Sequence, residues 1–312
     1  MNGRNRERGI ALVIVLWVSV LLAVIASSFI LERRNDFLIV RNSASMAHAQ
    51  AAADAGVQRA LLDAFRSDQS PETWKRDGTV HEWTFDGIPV RVEMRDESGK
   101  IDVNSASDAL LRGLLVSVGL NDDDATRLLD AILDWRDPDS LVRPHGAEEA
   151  EYRAAGLTYR PANAPFQSIE ELQLVLGMRP ELYRRIAPMI TVFSRQPGVN
   201  TTLAAREVLL AIPGVTTEIV DQYLAIREQA RTAGLPLPVF PQGLAFNSPG
   251  SLLTNVRAEA RLDDGTYFAR EVVALVRATP RRPVTFVLWR ESVAPPESRD
   301  ALAAASAAAG KP

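Results

Sequence analysis

The stretch that most constrains this chain runs from Ile10 to Leu31, 22 consecutive residues without a charge. At about 1.5 Å of rise per residue, a helix of that length crosses a hydrocarbon core of roughly 30 Å. Arg4, Arg6 and Arg8 precede it against a single acid, Glu7. That positive bias keeps the N-terminus in the cytoplasm and sends everything after Leu31 across the membrane. A secretory signal peptide has a shorter apolar core, although the small residues from Ala23 to Ser28 imitate a cleavage region. A plain signal anchor is the simplest alternative.

At 312 residues the chain has room for one large or two modest globular bodies behind that helix. It has no cysteine, so an exported body of this size is held by core packing or by metal. The three histidines, His48, His81 and His145, are scattered, which argues against zinc. The formal charge is -4, and without Met1 to Gly9 the side chains sum to -6, a poor match for nucleic acid. The sequence holds no G-x-S-x-G elbow and no H-E-x-x-H pair, so no enzyme is expected.

Beyond Glu32, residues Leu38, Ala49, Ala53, Val57, Ala60, Leu61 and Phe65 recur near helical spacing. The pattern predicts one helix of about 57 residues from Ile10, roughly 85 Å long. Its first half, including Ile14, Trp17 and Leu21, is expected to face lipid or fibre neighbours, and its second half a globular domain. Ser70-Pro71 marks its end. A β-hairpin follows, from Val80 to Phe85 and from Ile88 to Arg95 around Asp86-Gly87. Three repeats of helix, glycine and helix come next, with turns at Gly119, Gly177 and Gly214, and Ser168 with Glu171 reads as a capping box. Three more strands are expected, from Val256 to Leu262, Tyr267 to Arg277 and Val284 to Glu291. The Ala- and Pro-rich tail reads as disordered. The fold class is α+β: a long N-terminal pilin-type helix packed on an antiparallel sheet, with a large inserted all-α domain of helix-hairpin-helix-like units. Its boundaries are a leader 1–9, a membrane segment 10–31, the outer part of the helix 32–70, a first β part 71–104, the α-domain 105–235, a second β part 236–293 and a tail 294–312.

Gly9 sits between the basic leader and an apolar helix that no proline interrupts before Pro71. This arrangement resembles the class III signal of type IV pilins and pseudopilins. The resemblance implies cleavage between Gly9 and Ile10 by the prepilin peptidase on the cytoplasmic face, with methylation and retention of the helix. Most pilins carry glutamate at the fifth mature position, which here is Ile14. In a pilus that buried acid pairs with the N-terminal amine of the previously added subunit, so a subunit with no predecessor above it does not need one.

Further motifs, in order, are Asp96-Glu-Ser-Gly-Lys-Ile-Asp-Val-Asn104, Asp134-Trp-Arg-Asp-Pro-Asp139, Pro144-His-Gly-Ala-Glu-Glu149, Asn163-Ala-Pro-Phe166 and Val199-Asn-Thr201. Together they resemble the protein K family of the type II secretion (general secretion pathway) apparatus. The resemblance implies a non-enzymatic minor pseudopilin at the pseudopilus tip. Its partners would be the minor pseudopilins I and J, the major pseudopilin, the prepilin peptidase and the bacterial inner membrane, with the C-terminal domain in the periplasm.

Asp134, Asp137, Asp139, Glu148, Glu149 and Glu151 surround a loop interrupted by Pro138, Pro144 and Gly146. Carboxylate oxygens on an irregular loop suit Ca²⁺, which accepts 6 to 8 oxygens in uneven geometry. A solvated acidic surface is the plainer alternative, since no EF-hand spacing is present. The resemblance is to a family whose α-domain binds calcium, and it makes Asp137, Asp139, Glu148 and Glu149 the candidate ligands, with Asp134 and Glu151 as alternates. The helix-hairpin-helix pattern opens another reading, an inner-membrane-anchored periplasmic DNA-binding protein of a competence-type uptake system. Asn121-Asp-Asp-Asp124 would repel phosphate there, so no nucleic-acid partner is expected.

Overall fold

The computed structural model describes residues 4–66, 73–241, 246–277 and 283–292, with the side chains of 4–12, 26 and 28–35 outside that description. Helix α1, Arg4–Phe65, is continuous over 62 residues, about 93 Å at the usual helical rise. It starts six residues earlier than expected, so the Gly9-Ile10 bond lies within it. Ile14, Trp17 and Leu21 are exposed on its surface. Among the described residues no helix is long and apolar enough to cross a membrane. Of the apolar run, only 13–25 and 27 have described side chains, fewer than a bilayer requires. The expected tail, 294–312, lies outside the described residues.

The outer half of α1 lies on an antiparallel sheet of β1 (Asp77–Phe85), β2 (Ile88–Asp96), β5 (Leu253–Arg261), β6 (Tyr267–Val276) and β7 (Val284–Glu291), in that spatial order. Asp86 and Gly87 have φ of 50° and 78°, the paired positive values that a two-residue I′ hairpin requires. Register sets Val90 opposite Ala260, Val92 opposite Ala258 and Met94 opposite Val256, so all six share one face. That face meets Ala49, Ala52, Ala53, Val57 and Ala60 of α1, all fully buried. The small helix residues let the two layers approach closely. At Gly56 a Cβ would stand 2.8 Å from Val90 Cγ1 and 3.0 Å from Val92 Cγ2.

Between β2 and β5 the chain builds a helical body: α2 (Asp108–Ser117), α3 (Asp122–Arg136), α4 (Glu149–Ala154), α5 (Pro180–Ile186), α6 (Arg206–Leu210) and α7 (Thr217–Thr232). It also contains a two-residue parallel pair, β3 (Ile101–Asp102) with β4 (Ile190–Thr191). Leu110, Leu115, Tyr152, Leu172, Ile186 and Leu209 fill its core. Gly119, Gly177 and Gly214 have φ of 96°, 89° and 79°, the left-handed turn expected after each first limb. The limbs themselves differ from expectation. Only α2 and α3 form a pair of substantial helices, since the second unit opens with a 3₁₀ turn over Ile169–Leu174 and α6 has five residues. The capping box is not formed either, because Glu171 accepts from Gln167 N at 3.0 Å and Ser168 makes no cap.

The stretch from Asp96 to Asn104 joins sheet and helical body through buried carboxylates. Asp96 accepts from Ser98 N (2.9 Å) and Ser251 Oγ (2.8 Å). Asp102, fully buried, accepts from Asn104 N, Ser105 N and Arg195 N at 2.9, 3.0 and 2.8 Å. Arg290 of β7 adds a second tie, bonding both Glu271 and Glu170.

The close seating of α1 is testable. Gly56→Val is expected to cost about 1–3 kcal/mol through overpacking, seen as a lower melting temperature of the full chain in detergent. An unchanged melting temperature would contradict the seating.

Candidate metal centre

The centre is assembled from the end of α3, the loop after it and the segment before the first 3₁₀ turn of the second unit. Trp135 stacks on Phe166 (centroids 6.0 Å, planes 12° apart) and contacts Tyr152, which locks the last turn of α3. Asn104 binds both sides of Phe166, donating to its carbonyl at 2.9 Å and accepting from its N–H at 2.8 Å. With α3 and residue 166 fixed, Asp134 is carried inward and is wholly buried. Its Oδ2 accepts from Arg143 N (3.2 Å) and Ala147 N (2.8 Å), folding the loop back over the helix. Gly146 is needed for that approach, because a Cβ there would lie 1.9 Å from Asp134 Oδ2.

Four oxygens around this loop are buried without a hydrogen-bond partner: Asp134 Oδ1, Asp137 Oδ1, Glu148 Oε1 and Asn163 Oδ1. Burial pushes the Asp134 carboxyl above the ordinary carboxylate range, reinforced by the Asp137 charge and opposed by its two backbone bonds. Burial and then the Asp139 charge raise Asp137. Burial, followed by the charges of Asp134 and Asp137, raises Glu148. The loop thus concentrates negative charge on oxygens that water does not reach. Beside it opens a cleft of about 230 Å³ lined by Asn104, Asp108, Arg136, Asp137 and Arg143 among others.

The expected ligands divide. Asp137 and Glu148 belong to the cluster. Asp139 is exposed, accepting from Leu141 N at 2.8 Å, although its charge still acts on both. Glu149 points away from the cluster and pairs with Arg153 and Arg160 at 2.5 and 3.6 Å. Glu151 is spent on the N-terminus of α4, accepting from Glu148 N at 2.9 Å. Asp134, an alternate in the sequence, is the centre. Asn163 was missed there as a donor, although its motif was legible. It adopts a left-handed φ of 47°, which asparagine tolerates, and donates its Nδ2 to the Asp139 carbonyl.

Among the described residues no group of three or more Asp, Glu or His side chains is placed to hold a metal ion by itself. The donor chemistry nonetheless fits a hard cation, since all four orphaned atoms are oxygens and one is an amide carbonyl. A bound divalent ion would supply the positive charge these groups lack, with Asp134, Asp137, Glu148 and Asn163 holding it.

A long helix on a five-stranded antiparallel sheet, with a helical body inserted after the second strand, defines a pilin-like subunit carrying an extra α-region. Residues 92–197 match the family model of type II secretion system (T2SS), protein K. Type II secretion system protein K of Aeromonas hydrophila is 29% identical over 316 aligned positions, covering 90% of this chain and 93% of the relative. Its counterpart in Pseudomonas aeruginosa is 28% identical over 247, covering 70% and 73%. The fold is similar to a chain of the crystal structure of the GspK-GspI-GspJ complex from the enterotoxigenic Escherichia coli type 2 secretion system. That likeness has a TM-score of 0.55 at 16% identity and covers 84% of this chain and all of the other. Over residues 92–197, and over most of its length in these relatives, the chain is similar to the type II secretion system protein K family.

The raised carboxyls carry a sign. A group whose folded-state pKa lies above its unfolded value of about 4 costs the metal-free fold stability as pH rises through that window. Asp134→Asn removes that cost while still accepting from Arg143 N and Ala147 N. In EDTA, the stability of the variant relative to the parent is expected to grow between pH 4 and 7. A flat difference in chemical denaturation would contradict the assignment.

Proposed function

We propose that this chain is the non-enzymatic minor pseudopilin at the tip of the type II secretion pseudopilus, helping to start its assembly and to move folded proteins out of the periplasm. The family match over residues 92–197 on a pilin-like fold is the observation that carries this reading. Ile14 in place of an acid supports the tip position, since it needs no N-terminal amine above it. The solved relative is part of a complex of GspK with GspI and GspJ, and the corresponding minor pseudopilins are the partners proposed here, alongside the major pseudopilin. The uncharged run from Ile10 to Leu31 supports a single inner-membrane pass with the remainder in the periplasm. Gly9 after a basic leader supports prepilin-peptidase cleavage and methylation at Ile10.

Calcium is the cofactor proposed for the α-region, supported by the four orphaned oxygens around Asp134. Binding to the folded state alone stabilises it by RT ln(1 + [L]/Kd), about 2.7 kcal/mol at a hundredfold excess. The helix-and-glycine units serve packing in this reading. Asp122 beside the first turn pairs with Arg112 at 2.9 Å, which places a carboxylate where phosphate would have to approach.

One preparation tests role and processing together. Tagged full-length chain, expressed with the rest of its secretion apparatus and purified in detergent, is expected to retain the two smaller minor pseudopilins and to begin at Ile10 on N-terminal sequencing. Absence of both partners, or a start near Ser27, would contradict the proposal.

A further inference from the structure

The metal centre contains a positive charge of its own. Arg143 is tethered by its backbone N–H to Asp134 Oδ2 at 3.2 Å. Its guanidinium leans over the same cluster, with Nε 3.3 Å from Asp134 Oδ1 and Nη2 3.6 Å from Asp137 Oδ2. These are ion-pair distances, yet Nε and Asp134 Oδ1 are both buried without a hydrogen-bond partner. The arginine therefore lends charge to Asp134 without hydrogen-bonding its Oδ1. The side chain is 40% exposed, whereas Asp134 is sealed, so the guanidinium has a route to solvent that the carboxylate lacks.

A divalent ion that takes Asp134 Oδ1 and Asp137 Oδ1 would sit within a few ångströms of that guanidinium. Two cations at such a separation repel strongly where water is scarce. Both cannot remain. We propose that Arg143 is a built-in stand-in for the metal: its guanidinium neutralises Asp134 and Asp137 in the metal-free protein and swings out to solvent when calcium enters. This rests on the calcium reading above. Arg143 then has two opposed effects, holding the loop together before metal arrives and weakening calcium binding, so that the site fills at calcium levels typical outside the cytoplasm.

The test uses the full chain in detergent, titrated with calcium chloride by calorimetry and melted in EDTA, for the parent, Arg143→Gln and Arg143→Lys. The expected result is calcium binding about tenfold tighter or more in Arg143→Gln, together with a lower melting temperature in EDTA that calcium restores. Arg143→Lys, which keeps the charge, is expected to stay near the parent in affinity, and carries the test should Arg143→Gln fail to fold: a tenfold gain there would overturn the proposal. Unchanged or weaker calcium binding in Arg143→Gln, with a parent that binds, would also overturn it and leave the calcium site standing. If neither the parent nor Arg143→Gln binds at millimolar calcium, the calcium reading falls and this proposal with it.

Discussion

The carboxylate of Asp134 is the interaction on which the helical body depends. It is wholly buried, with one oxygen holding two backbone N–H groups and the other holding none. Moving a charged carboxylate out of water costs several kcal/mol unless it is paired and hydrogen-bonded. The surroundings meet that cost in part: two amides from residues 143 and 147, a nearby guanidinium, and Gly146, whose missing Cβ allows the approach. Trp135, the next residue, sets the position by stacking against Phe166. Loop, helix end and the start of α4 are thereby fixed around a concentration of negative charge.

The other half of the molecule solves a mechanical problem. A helix of 62 residues needs a rigid seat for its outer end, and the alanine face from Ala49 to Ala60 supplies one against a face of valine, alanine and methionine. Asp54 and Arg270 pin that seat at one side, with Nε to Oδ1 at 2.6 Å. The buried Asp96 and Asp102 then transmit the sheet's position to the helical body. A subunit built in this way has a long stem and a bulky head.

Much of this was legible in the chain. Alternating residues located the strands, Asp86-Gly87 the hairpin turn, and three glycines the left-handed turns of the helical units, because each signal is local. Where tertiary contacts decide, the sequence misled. The short apolar segment 169–177 reads as α-helix by period, but its first six residues, Ile169–Leu174, form a 3₁₀ turn. Glu148 and Glu149 looked equivalent as ligands. Glu148 is the extended N-cap of α4 and Glu149 its first helical residue, and this change of backbone conformation turns one toward the cluster and the other toward solvent. Asn163 is drawn to the site by the clasp between Asn104 and Phe166, a pairing across 62 positions that no local pattern encodes.

The central claim, that the loop around Asp134 is a cation site completed from three separate segments, is tested most directly by locating the ion. Crystals of the full-length protein grown with calcium chloride, with diffraction recorded at a long wavelength where calcium scatters anomalously, would do so. The account predicts an anomalous peak bounded by Asp134, Asp137, Glu148 and the Asn163 carbonyl. A map without a peak there, or with calcium held only by exposed carboxylates such as Glu149, would contradict it.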